Sequence, residues 1–327
     1  MLTARRKLSY ILRYIVVVCI IFTINTTACA QDMLEKEKLR LTVGVISAIE
    51  ELPVIISKME AVVPLDKINV NVEVFYSWTA LEAAFRTGMV DAAGITSLKA
   101  FKMHLDKVPL KILMLLHRKG SSLVLSSSES LKGKLIGISG NDTGQVVLLK
   151  RYLDKKGLKL GYDVRYILIP FARALGLLRE EKISGFILPE PYGSMAQAEG
   201  LAKEYILGKD IMANFIDVVL IVNPKKIAEN KEAIKEWVDS IKKSGEFIEE
   251  DKAKTHAQQV ASLQQEILNL DPVLLQRALS NDLGAIQFIN LQATESVFEE
   301  TIKTGLELDI LSGTVDLKDI IDDRFYR

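Results

Sequence analysis

The stretch INVNVEVFYSWTALEAAFRTGMVDAAG, residues 68–94, decides how the rest of the chain is read. Ile68, Val70, Val72 and Val74 fall on alternate positions, the period of a strand with one buried face. At Ser77-Trp78-Thr79 the pattern turns helical. Thr79 and Glu82 have the spacing of a capping box, which predicts a helix over Thr79–Thr87 closed by Gly88. A short strand over Val90–Ala93 follows. Strand, helix and strand in so short a span make a βαβ unit, and such units need a sheet with helices on its faces.

The same rhythm continues on either side. Upstream, Leu39, Leu41, Val43 and Val45 mark a strand over Leu39–Ile46, and a helix is predicted over Glu51–Val63. Downstream come a helix from Ser97 and a strongly apolar strand, Leu110–Leu116. After Gly120 the alternation restarts, with strands at Ser122–Leu125, Lys134–Ile138, Val164–Ile169, Gly185–Leu188 and near Tyr205–Leu207. Between them lie helices at Thr143–Lys156, Phe171–Arg179 and Tyr192–Glu199. Phe215–Val222 is a further apolar strand ended by Pro224. From there to Leu311 the chain reads as almost wholly helical, with Asp271-Pro272 as a helix start. Two alternating blocks joined by two apolar segments predict an α/β chain of two lobes. Each lobe is expected to hold a parallel sheet, with a pair of crossing strands as the hinge and the C-terminal helices padding the first lobe. The expected boundaries are 38–118 with 222–327 for lobe 1, and 119–221 for lobe 2.

The N-terminus reads separately. Arg5, Arg6, Lys7 and Arg13 precede an apolar run from Tyr14 to Ile24 and the small-residue segment Thr26-Thr27-Ala28-Cys29-Ala30. That order describes a secretory signal over residues 1–30, so the chain is expected to be exported. Ala28-Cys29-Ala30 fits cleavage after Ala30. Ala28-Cys29 also fits a lipoprotein signal that would leave Cys29 lipidated, so periplasmic and lipid-anchored forms both stand. The other cysteine, Cys19, lies inside the signal, so neither an internal disulfide nor a cysteine metal site is expected. His104, His117 and His256 show no ligand spacing, and no cofactor or metal is expected. The chain carries 42 basic and 42 acidic residues, and no Lys/Arg-rich block remains beyond the signal, which argues against a nucleic-acid partner.

Three segments give the chain a family resemblance: Thr79 to Gly94 within the opening stretch, LKGKLIGI at 131–138, and Pro189-Glu190-Pro191-Tyr192. In that order and spacing the chain resembles the type 2 periplasmic binding proteins of the nitrate, sulfonate and taurine class, which includes thiamine-precursor binders. The resemblance runs over roughly Leu39 to Glu250. It implies a hinged clamp that closes on a small molecule and presents it to an ABC permease. It also implies that the turns at Ser47–Glu51, Ser77–Thr79, Gly94–Ser97, Ser139–Thr143 and Glu190/Tyr192 face the cleft.

On those turns the candidate ligand contacts are Ser47, Trp78, Thr79, Thr96, Ser97, Asn141, Asp142, Thr143, Glu190 and Tyr192. Asn141, Asp142 and Thr143 open a helix whose free amides suit an anion or a carbonyl, and the same residues equally serve as helix caps. Trp78 offers a flat apolar face to a ligand or to the core. Thr96 and Ser97 offer hydroxyls or N-caps. Two prolines fix the direction of Glu190 and Tyr192, with Glu190 either meeting a donor-rich ligand or capping the next helix. Outside this set, His117 and Arg118 lie near the first crossing, with Arg118 read as a hinge-surface charge or as a partner for an acidic ligand. Asp217 reads as a cleft or solvated-edge residue, and Glu50 and Glu51 as acids favouring the start of their own helix. The five turns hold acids and no Lys or Arg, so a nitrogen-rich or cationic ligand stands beside a sulfonate or nitrate.

The expected function is therefore a monomeric substrate-binding component of an ABC importer with no catalytic residues. Two alternatives remain. One is an enzyme on the same fold that makes a thiamine pyrimidine, although the cysteine-rich motif of such enzymes is missing here; the other is a sensory binding protein.

Overall fold

A computed structural model of the chain describes residues 38–59, 64–280 and 282–327. The signal segment 1–30, with Cys29, and the end of the helix predicted over Glu51–Val63 lie outside those residues. Residues Arg40–Arg327 form one compact unit.

The opening stretch folds as its periodicity dictates. Strand β1, Leu39–Ile46, precedes a buried 3-10 turn at Ile49–Glu51 and helix α1, Leu52–Ser57. Strand β2, Ile68–Phe75, leads into helix α2, Trp78–Thr87. Trp78, Leu81, Ala84 and Phe85 are buried along one side of α2, the i, i+3, i+7 stripe of a core-facing helix. Burying side chains the size of Leu81 and Phe85 stabilises by about 2–3 kcal/mol each. The N-cap is Ser77, whose hydroxyl accepts from the Ala80 N–H, and the Thr79–Glu82 capping box does not form. The helix starts one residue earlier than its acidic residue suggested, because Ser77 is the residue that stays extended. Gly88 closes the helix at φ +75°, a conformation open to glycine.

Strand β3, Ala92–Thr96, follows, then helix α3, Ser97–Leu105, capped by Thr96, and strand β4, Lys111–Leu115. The second block holds β5 (Ser121–Leu125), β6 (Leu135–Ile138), α4 (Gly144–Lys155), β7 (Arg165–Leu168), α5 (Ala174–Arg179), β8 (Gly185–Pro189), α6 (Tyr192–Ala198) and β9 (Glu204–Leu207). Strand β10, Val218–Val222, then returns to the first block. The sheets run β2-β1-β3-β10-β4 and β9-β5-β8-β6-β7.

The all-parallel expectation is corrected here. β10 is antiparallel to β3 and β4, and β5 is antiparallel to β8 and β9, while β1–β3, β6–β7 and β6–β8 are parallel. Both antiparallel strands, β5 and β10, enter their sheet from the other lobe, so each runs against the strands its own lobe builds by βαβ winding. The two crossings are bonded to each other: Leu116 N–H donates to Val218 O at 3.1 Å and Lys119 N–H to Phe215 O at 2.9 Å. A short pair, Ile286–Gln287 against Arg118–Lys119, adds a third strand to the hinge.

The C-terminal helices do more than pad the first lobe. Helix α7, Lys231–Thr255, covers α1 there, with the Ser240 hydroxyl donating to Ser57 O. Helix α8, Glu295–Glu307, lies between the lobes: Phe298 packs edge-on against Phe101 of α3, and Glu300 pairs with Arg151 of α4.

Candidate functional site

The seam between the lobes is lined by the turns at the strand ends, and two clusters of acids occupy it. In the first cluster Asp142, just ahead of α4, faces two lysines of α3. Lys99 Nζ lies 2.8 Å from Asp142 Oδ1, and Lys102 Nζ lies 3.1 Å from Oδ2. Lys99 also pairs with Glu82 at 2.7 Å. The Thr96 hydroxyl donates to Asp142 O at 2.7 Å. Burial pushes the Asp142 carboxyl up, but the two lysines outweigh it and hold the carboxyl below its ordinary range.

The second cluster lies at the hinge. Glu50 and Glu51 follow the carboxyl end of β1, and Asp217 precedes β10; all three are fully buried. Among the described residues, both carboxylate oxygens of Glu50 and of Glu51 lack a hydrogen bond, as does Asp217 Oδ2. Asp217 Oδ1 accepts the Gly144 N–H at 2.8 Å, so the start of α4 in the second lobe is capped from the crossing. Burial raises Glu51 to about 8 and Asp217 to about 7, the Gly144 N–H only partly offsetting the latter. Glu50 is pushed well up by burial and then by the like charges of Asp217, Glu51 and Glu190. The Glu51 carboxylate lies against Gly94 of β3, where any Cβ would collide with it.

His117 lies at the first crossing, turned inward. It is fully buried, 3.6 Å from Glu50 Oε1 through Nε2. Nε2 accepts the Val218 N–H at 3.3 Å, so it has no proton to give Glu50. Burial holds the ring neutral, with its pKa lowered to about 3. Arg118 turns away, its Nε donating to Asn290 O at 2.7 Å.

The other candidates fall into place around these clusters. Trp78 Nε1 donates to Ser139 Oγ at 3.0 Å across the seam, and its ring meets Phe171 edge-on at 6.4 Å. Phe171 stacks on Tyr192 at 5.4 Å, so three rings line one wall. Ser97 is buried at the head of α3 with its hydroxyl unbonded, and its N–H donates to Asp217 O. Ser47 is buried with its N–H on Phe75 O. Thr143 turns its hydroxyl to Gly140 O at 2.9 Å, while Asn141 and Thr79 are exposed.

Glu190 is engaged within the second lobe. It accepts from Ser122 Oγ at 2.6 Å, Tyr205 OH at 2.8 Å and Ser194 N–H at 3.1 Å, which includes the capping role weighed for it. Its backbone N–H donates to Gly120 O in its own lobe, and its carbonyl ties the lobes by accepting the Ile49 N–H.

The seam residues not singled out as ligand candidates are Glu50, Glu51, Ser121, Gln145 and Asp217. Glu50 and Glu51 carried a usable signal: in AIEELPVII, residues 48–56, two acids sit in an apolar run that leaves their helix no polar face. Asp217, weighed as a cleft or solvated-edge residue, is buried and bonded to Gly144, and Gln145 carried no signal because its partner Ser139 and the crossing meet it only in the folded chain.

The family model described as NMT1-like family matches residues 34–264. No curated protein matches the chain in sequence. Among solved structures, the ligand-binding component of an ABC-type import system from Staphylococcus aureus, with zinc bound, superposes with a TM-score of 0.77 at 18% identity, covering 88% of this chain and 98% of that one. The periplasmic nitrate-binding protein NrtA from Synechocystis PCC 6803 gives 0.78 at 13% identity over 89% of this chain and 88% of that one. The alkanesulfonate-binding protein SsuA from Xanthomonas axonopodis pv. citri, bound to MOPS, gives 0.72 at 16% identity over 88% and 99%. At these identities the likeness is one of fold: two α/β lobes joined by crossing strands, as expected from the sequence.

Proposed function

This chain belongs to the NMT1-like family, and from that premise we propose that it is the extracytoplasmic substrate-binding component of an ABC importer. It takes a small organic solute between its lobes and delivers it to a membrane permease by hinge closure. The observation that carries this reading is the seam itself. Two hydrogen-bonded crossings form a hinge, and contacts such as Trp78–Ser139 and Asp142–Lys99 join side chains that lobe opening would part. The fold shared with the ligand-binding component of an ABC-type import system and with nitrate- and alkanesulfonate-binding proteins supports it.

The lobe boundaries stay part of the proposal: 38–118 with 222–327, and 119–221, with β10 lying in the first sheet. So do the contact set on the seam turns, the monomeric state and binding without catalysis. Export is proposed from the N-terminal segment. The mass of the mature N-terminus separates cleavage after Ala30 from lipidation of Cys29.

Thermal unfolding against a panel of small solutes tests the function. A ligand that binds the closed native form raises the midpoint in proportion to the logarithm of its excess over Kd. A saturable rise that Trp78→Ala abolishes is the expected result. Turnover of a panel compound without a rise would replace the binding reading with an enzymatic one.

A further inference from the structure

Buried carboxylates are stable only with a proton, a cation or a set of hydrogen-bond donors beside them. At the hinge the chain supplies little of this. The Ser121 hydroxyl leans toward Glu50 and the Ile46 backbone toward Glu51, but neither reaches hydrogen-bond geometry. His117 is neutral and offers Glu50 a nitrogen that is already an acceptor. Lys99 and Lys102 are spent on Asp142 and Glu82, and Arg118 on Asn290.

The unbonded atoms are concentrated in this one place. Besides the carboxylate oxygens of Glu50, Glu51 and Asp217, the buried hydroxyls of Ser97 and Ser121, His117 Nδ1 and Gln145 Nε2 lack partners among the described residues. They come from six separate parts of the chain: the turn after β1, the head of α3, the first crossing, the start of β5, the head of α4 and the second crossing. Ser97 N–H bonds Asp217 O, and Gly120, beside Ser121, lies against both His117 and Glu50, so these parts meet. Gly94 keeps the face of β3 bare under Glu51.

We propose that this hinge-side part of the seam recognises a small organic cation whose N–H groups donate to Glu50, Glu51 and Asp217. The inference rests on the binding-protein reading above and names its ligand class. An ammonium, amidinium or protonated aminoheterocycle supplies both the charge and the directed donors that the acids lack. Ser97 and Ser121 accept or donate to its remaining polar atoms. Trp78, Phe171 and Tyr192 give the seam an aromatic wall suited to a flat or cationic body. A nitrate or sulfonate would meet three acids at this position, each of which becomes a like charge once its proton leaves. A bare metal ion fits less well, because no group of His, Cys, Asp or Glu side chains among the described residues has metal-binding geometry.

Calorimetric titration of the purified protein with two panels tests this. The cations are benzamidine, agmatine and 4-aminopyridine; the anions are nitrate, methanesulfonate and benzenesulfonate. We expect saturable binding of a cation at one per chain, with no response to the anions. Glu51→Gln and Asp217→Asn should each weaken that binding tenfold or more while circular dichroism and cooperative unfolding are retained. Saturable binding of an anion with no cation response would overturn the inference and leave the binding-protein reading standing. Cation binding indifferent to both substitutions would also overturn it, by placing the ligand elsewhere. Silence from both panels would sink the two readings together.

Discussion

Two acid clusters share one seam and differ in one respect. Asp142 is nearly buried and has two lysines within 3.1 Å, so its carboxyl sits below the ordinary range. Glu50, Glu51 and Asp217 are wholly buried with no basic partner, so theirs sit above it. The contrast is one of purpose. A paired acid joins the lobes without help from a ligand, whereas an unpaired one adds to the cost of closure unless something else arrives.

The contrast can be broken most forcefully at Lys99. Lys99→Met removes the most buried partner of Asp142 and Glu82, leaving them Lys102 and Arg86, and the loss of so buried a pairing costs about 3 kcal/mol. Urea unfolding should show that loss as a lower midpoint with an unchanged slope. The hinge cluster should respond in the opposite direction. Glu51→Gln or Asp217→Asn removes an uncompensated charge, and the ligand-free protein should gain about 2 kcal/mol at pH 8. Saturating ligand should reverse the order, with wild type the more stabilised, as differential scanning calorimetry would show. The smallest effect belongs to Lys102→Met. Lys102 is partly exposed and Lys99 remains on Asp142, so a change of about 0.5 kcal/mol is expected.

How legible was this arrangement in the sequence? The strands and helices were, because their signals are local. Alternating valines marked β2, and Gly88, Gly157 and Pro272 punctuated helices where the structure ends or begins them. Sheet direction was not, since βαβ rhythm says nothing about a strand that arrives from the other lobe. The Ser77 cap was missed because a box at Thr79 and Glu82 has the right spacing, and only backbone geometry selects the residue that stays extended. Among the candidate contacts, Trp78 and Asp142 proved to bridge the lobes, while Glu190 is engaged by Ser122, Ser194 and Tyr205. Asp217 was readable as a residue of the second crossing facing the cleft or a solvated edge. Its meeting with Gly144, 73 positions away, depends on tertiary closure.

The pH dependence of stability tests the central contrast most directly. Glu51 and Asp217 have folded-state pKa values raised to about 8 and about 7, so over this range the native protein binds more protons than the unfolded chain. Stability must then fall as pH rises through the window from the ordinary carboxylate range to about 8. Asp142, held low, contributes the opposite slope, and only at acid pH below that window. The measurement is ligand-free thermal unfolding of wild type and of the Glu51→Gln/Asp217→Asn double variant at pH 5 and pH 8. The account expects the wild-type midpoint to drop between the two pH values and the variant's to drop much less, the slope that remains belonging to Glu50. Equal drops in both proteins would contradict it, because the hinge acids would then not be the uncompensated charges they are taken to be.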